Sequence, residues 1–174
     1  MPDPSASPDP RRGFLAQLVQ TLEPMLARVA ELRPESRSSA AEVQALEDAM
    51  NQQFPADSEQ VRAVGKAFEE GVAAGWLCDR GAPNARFSRV ARASSETHDL
   101  SIAAVRLRGP ALRHTHTRGE VTLAFAVDGA APTFEGRERG WIVMGAGSTH
   151  VPEVVGGCMN LIYFLPGGAV EWHT

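Results

Sequence analysis

The sequence predicts an α+β chain, mainly β, in which N-terminal helices precede a single small antiparallel β-barrel or sandwich. Apolar residues recur at helical spacing as far as about Gly75. From Trp76 onward the texture changes to short β-branched and aromatic runs punctuated by Gly, Pro, Asn and Asp. At 174 residues the chain suits one well-buried domain, or a small domain with a helical extension. The expected divisions are a disordered tail over 1–12, a helical region over 13–75 and a β-domain over 76–174.

The opening "MPDPSASPDPRRG" is rich in Pro and Asp and has no apolar core, so it reads neither as a secretory signal nor as a folded element. The first helix is drawn by Phe14, Leu15, Leu18, Val19, Leu22, Met25, Leu26, Val29 and Leu32, and Pro24 should kink or split it. Ser39 followed by Glu42 forms a capping-box pattern for a second helix, with Val43, Leu46 and Met50 on one face. A third helix should start near Asp57 or Ser58 and stop at Gly75. Candidate strands follow in "RFSRVARA", "DLSIAAVRLRG", "EVTLAFAV", "GWIVM", "CMNLIYFL" and "AVEWH".

Lys plus Arg total 17 against 21 Asp plus Glu, a net charge of −4, and no basic run extends beyond Arg11-Arg12, which argues against a nucleic-acid partner. No apolar run approaches the ~20 residues a bilayer span needs. The two cysteines, Cys78 and Cys158, lack metal-type spacing and read as buried thiols of a reducing compartment, so a cytoplasmic location is expected. The Gly-rich pieces lack the strand-to-helix context of a phosphate loop.

The informative stretch is "HTHTRGE". On a strand, residues i and i+2 share a face, so His114 and His116 aim two imidazoles into one space. Glu120 opens the next strand after a short turn, and His150 in "GAGSTH" can add a third nitrogen. Three neutral imidazoles and a carboxylate make a site for one divalent transition metal, whether Mn, Fe, Co, Ni or Zn, with positions left for water or substrate. His98 and His173 lack such company and read as ordinary polar residues.

The span "GPALRHTHTRGEVTLAFAVDG" resembles the first motif of the cupin superfamily, and "GWIVMGAGSTH" resembles the second. The resemblance implies a cupin-like antiparallel barrel with His114, His116, Glu120 and His150 as ligands. The pattern departs in three places. Four residues rather than five separate Gly109 from His114, Gly145 stands where proline is common, and Asn160 follows His150 at a longer interval. "GWLCDRG", "STHVPEVVGG" and "LIYFLPGGAVEW" look like the 4-hydroxylaminobenzoate lyases of bacterial nitroarene degradation, over roughly Trp76 to Trp172.

That resemblance implies conversion of 4-hydroxylaminobenzoate and water to 3,4-dihydroxybenzoate and ammonia. The substrate's N–O bond holds the oxidising equivalent, so no redox cofactor is needed. The catalytic candidates are Glu120 and Tyr163, the latter either a proton donor or a core aromatic. An anionic benzoate needs a cationic anchor, for which Arg89 and Arg106 are candidates on alternating strands. Trp76, Trp141 and Trp172 read as packing. A homodimer is expected from the cupin resemblance. Two rivals stand beside the lyase: a cupin dioxygenase using Fe(II) and O2 on a small aromatic or thiol, and a non-catalytic metal-binding cupin.

Overall fold

A computed structural model describes residues 9–174. Helices α1 (Pro10–Leu32), α2 (Ala40–Gln53) and α3 (Glu59–Ala73) come first. They are followed by strands β1 (Arg80–Ala82), β2 (Ala85–Ala91), β3 (Leu100–Pro110), β4 (His114–His116), β5 (Glu120–Asp128), β6 (Thr133–Phe134), β7 (Gly140–Met144), β8 (Ser148–His150), β9 (Glu153–Pro166) and β10 (Glu171–Trp172). The expected tail falls largely outside the described residues. Its last part is ordered structure: Asp9 caps α1 by accepting the Arg11 N–H, and Pro10 sits in the first turn, where its missing donor costs nothing. No helix among the described residues is long and apolar enough to cross a membrane.

Pro24 neither splits α1 nor ends it. It lies on the exposed side, while Leu22, Met25, Leu26 and Val29 are at most 1% exposed. Burial of that stripe outweighs the ~3 kcal/mol an internal proline costs. The capping box of α2 forms as read, with Ser39 accepting the Glu42 N–H and Glu42 reaching back to the Ser39 N–H. Ser58 caps α3, and Gly75 turns the chain with φ +73°.

All strand pairings are antiparallel and build two sheets. The larger runs β1-β2-β3-β9-β5-β7 with β6 against β9, and the smaller runs β10-β4-β8. Alternation divides the large sheet. Ile102, Ala104, Val121, Leu123, Trp141, Ile162 and Phe164 join the helices in the main core. The opposite face carries a second apolar cluster, including Leu107, Ile142, Met159 and Leu161.

β7 is an edge strand, and α2 covers it with polar side chains. Asn51 Nδ2 donates to the Trp141 carbonyl and Asn51 Oδ1 accepts the Trp141 N–H, both at 3.0 Å. The buried Glu47 accepts the Val143 N–H at 3.0 Å. Two side chains thus do what a further strand would do. Gly145 belongs to the same seam: a Cβ there would stand 2.9 Å from Val43 Cγ2, so a larger residue would push α2 or Val43 aside. Replacement of Asn51 by Ala strands both backbone groups of Trp141 and is expected to cost about 2–3 kcal/mol, read as a lower urea midpoint at unchanged m.

Candidate metal centre

β4 and β8 pair with His114 directly opposite His150, and the turn into β5 brings Glu120 beside them. The two strand residues of "HTH" point the same way, as alternation requires. The Nε2 atoms of His114 and His116 lie 3.0 Å apart, and those of His116 and His150 lie 2.8 Å apart. One ring nitrogen from each of the three fits within a 4.8 Å spread. Glu120 Oε2 is 3.4 Å from His116 Nε2. His116 is 0% exposed, Glu120 1% and His114 4%.

Outer contacts orient these groups. The Leu112 carbonyl, 2.9 Å from His114 Nδ1, can only accept, so Nδ1 carries the proton and the Nε2 lone pair faces the cluster. The Thr122 hydroxyl donates to Glu120 Oε1 at 2.7 Å. Burial pushes the Glu120 carboxyl up to about 7, against the opposing pull of that hydroxyl. Burial, with His114 and His150 nearby, holds the His116 imidazole down at about 3. His114 is lowered by burial as well. The His114 and His116 imidazoles are therefore neutral at physiological pH and available as donors. His116 Nδ1 is buried without a hydrogen-bond partner among the described residues. Three ring nitrogens gathered this closely beside a carboxylate fit a divalent transition ion.

A cavity of about 860 Å³ opens beside the cluster, lined by residues from both sheets, His114, His116, Glu120 and Tyr163 among them. Burial raises the Tyr163 phenol well above its ordinary value, so it stays protonated. Arg89 lines the same cavity, and no carboxylate pairs with it among the described residues. Arg106 does not reach it. Residue 106 shares its parity with Ile102 and Ala104, and the side chain turns to the helix side. There Nη2 binds Glu69 at 2.7 and 2.8 Å and Nε donates to Asn160 Oδ1 at 2.8 Å. Arg106, expected as a substrate anchor, is thus committed to Glu69 and Asn160 on the other side of the sheet.

Trp76 and Trp141 pack as read, Trp76 against Phe14 and Trp141 against Phe164. Trp172 does not: it is 62% exposed, lines the cavity and stands 4.9 Å from the His114 ring. Arg80, Arg92 and Phe87 also line the cavity and carry no motif that marks them in the sequence. His98 pairs with Glu23, and His173 with the hydroxyl of Thr115, which stands between His114 and His116 on the strand.

The model of the PnbB 4-hydroxylaminobenzoate lyase family matches residues 28–172. A 4-hydroxylaminobenzoate lyase of Pseudomonas putida is 30% identical over 140 residues, covering 71% of this chain and 80% of its own length. A protein of the same name from Nocardioides sp. (strain LMS-CY) is 29% identical over 138 residues, covering 73% and 80%. Among solved structures, a cupin-like protein from Thermotoga maritima aligns with 56% of this chain and 85% of its own at 12% identity and a TM-score of 0.35. The family match spans most of the sequence, helices α2 and α3 as well as the strands, and on that match the chain belongs to the 4-hydroxylaminobenzoate lyase family.

Proposed function

We propose that the chain is a metal-dependent lyase converting 4-hydroxylaminobenzoate and water to 3,4-dihydroxybenzoate and ammonia, its two sheets forming one cupin-like barrel around the site. The observation that carries this reading is the convergence of three imidazoles beside a buried carboxylate, next to a cavity of aromatic-ligand size. His114, His116, His150 and Glu120 are the proposed ligands. A bound divalent ion supplies a Lewis acid for cleavage of the N–O bond and a template for the ring.

The chain's own residues supply the rest. Register aligns Arg89, Ala103, Tyr163 and Thr122 as one row across β2, β3, β9 and β5. Arg89 and Tyr163 are two strands apart, roughly 10 Å. Ala103 between them leaves the floor low enough for a flat ring. In this pose Arg89 grips the carboxylate in two-point fashion and Tyr163 offers a proton at the opposite, nitrogen-bearing end. Trp172 and Phe87 at the cavity mouth shield the ring from water.

Purified, metal-loaded protein incubated anaerobically with 4-hydroxylaminobenzoate should release one ammonia per catechol without added nicotinamide. Strict dependence on O2 overturns the reading in favour of a dioxygenase, and no turnover by fully metallated protein favours a binding cupin. Substitution of His116 by Ala should cut metal occupancy sharply in elemental analysis, whereas unchanged occupancy would sink the ligand assignment. Arg89→Ala should raise KM by about 10-fold or more with a smaller change in kcat, the signature of lost binding away from the reacting bond.

A further inference from the structure

Glu135 sits where its residue type is unfavourable. Phe134 and Arg137 close a two-residue hairpin turn through mutual N–H···O bonds of 2.8 and 2.9 Å. Both central residues have positive φ, +50° at Glu135 and +78° at Gly136. Such turns favour Asn or Asp before Gly, and glutamate has no local side-chain hydrogen bond to offset the left-handed backbone. A strained position that keeps an ill-suited side chain directs attention to what that side chain touches.

It touches the donor cluster from outside. Glu135 Oε1 lies 3.3 Å from Nδ1 of His150, a close contact short of hydrogen-bond geometry, and that buried nitrogen has no hydrogen-bond partner among the described residues. The same oxygen accepts the Glu153 N–H at 3.4 Å. The Glu135 carbonyl accepts Arg137 Nη1 at 3.0 Å, and Arg137 grips both oxygens of the buried Glu47 on α2 at 3.0 and 3.1 Å. Glu47 in turn holds the Val143 N–H of β7. A chain of polar contacts therefore runs from α2 through the turn to one imidazole.

A neutral imidazole has one proton to place. On Nδ1 it faces the Glu135 carboxylate and leaves the Nε2 lone pair toward His116 Nε2, 2.8 Å away. On Nε2 it would block that lone pair and set Nδ1 against a carboxylate that can only accept. We propose that Glu135 is a positioning residue for the metal centre, which holds His150 as the Nδ1–H tautomer with its Nε2 lone pair turned to His114 and His116, and which Arg137 and Glu47 tie to helix α2. The proposal rests on the reading of the three imidazoles as metal ligands.

Glu135→Asn separates the carboxylate from the turn, because asparagine suits the backbone while its shorter side chain does not reach Nδ1. In the full chain this variant should melt no lower than the unaltered protein. It should bind Co2+, measured by chelator competition, 10–100-fold more weakly, the usual cost of a lost outer contact to a ligating histidine. In the metal-free protein its 15N imidazole spectrum should show His150 losing the pure Nδ1–H form. Glu135→Gln, with its reach intact and an amide oxygen to accept, should recover most of the affinity and the tautomer. Co2+ affinity equal to that of the unaltered chain overturns the positioning role alone, as does weakened binding with the His150 tautomer unchanged. If the unaltered chain binds no Co2+, the metal reading falls and this role with it.

Discussion

The seam between α2 and the edge of β7 is the contact on which the rest of the architecture depends. A sheet edge exposes unpaired N–H and C=O groups, and burying them without partners costs more than the burial of the adjacent side chains returns. Asn51 and Glu47 satisfy the Trp141 and Val143 groups from a helix, so the helical layer can close over the sheet with Trp141 1% exposed beneath it. Trp141 Nε1 donates to the Phe54 carbonyl at the end of the same helix, which joins the largest buried side chain to the same seam.

With one face of the sheet committed to helices, alternation commits the other to the cavity. Val121 and Leu123 face the helical core, so Glu120 and Thr122 must face the donor cluster. The same parity sends Ile162 and Phe164 to the core and Tyr163 to the cavity. Arg89 and Arg106 are separated by this rule rather than by charge or exposure alone. The electrostatics of the site thus follow from a packing decision made on the opposite side of the sheet.

Much of this was legible in the sequence because it depends on local periodicity. The capping box at Ser39 and Glu42, the stop at Gly75 and the shared face of His114 and His116 each rest on spacing within a few residues. What the sequence hid depends on which of two faces meets which layer. Arg106 and Arg89 both sit in plausible alternating strands, and only the docking of α3, which brings Glu69 to Arg106, tells them apart. Pro24 does not split the helix for a related reason: local propensity opposes the helix there, and buried Leu22, Met25 and Val29 override it. Glu135 was invisible because His150 lies fifteen positions away and the residue before Gly136 is not the Asn or Asp that would announce the turn.

The donor set also carries opposing pH costs that a cation resolves together. Glu120 has its carboxyl raised from 4.5 to about 7, so its contribution favours the fold at low pH and is lost as pH rises through about 7. His116 is lowered from 6.5 to about 3, so its contribution is present above 6.5 and is lost as pH falls toward 3. Between these limits His116 and Glu120 by themselves hold no charge, although each is surrounded by polar atoms. A divalent ion favours ionised Glu120 and neutral imidazoles at once. Binding that selects the folded chain adds to stability as RT ln(1 + [M]/Kd), so the cluster that costs most to bury is also the one through which a metal would stabilise the fold.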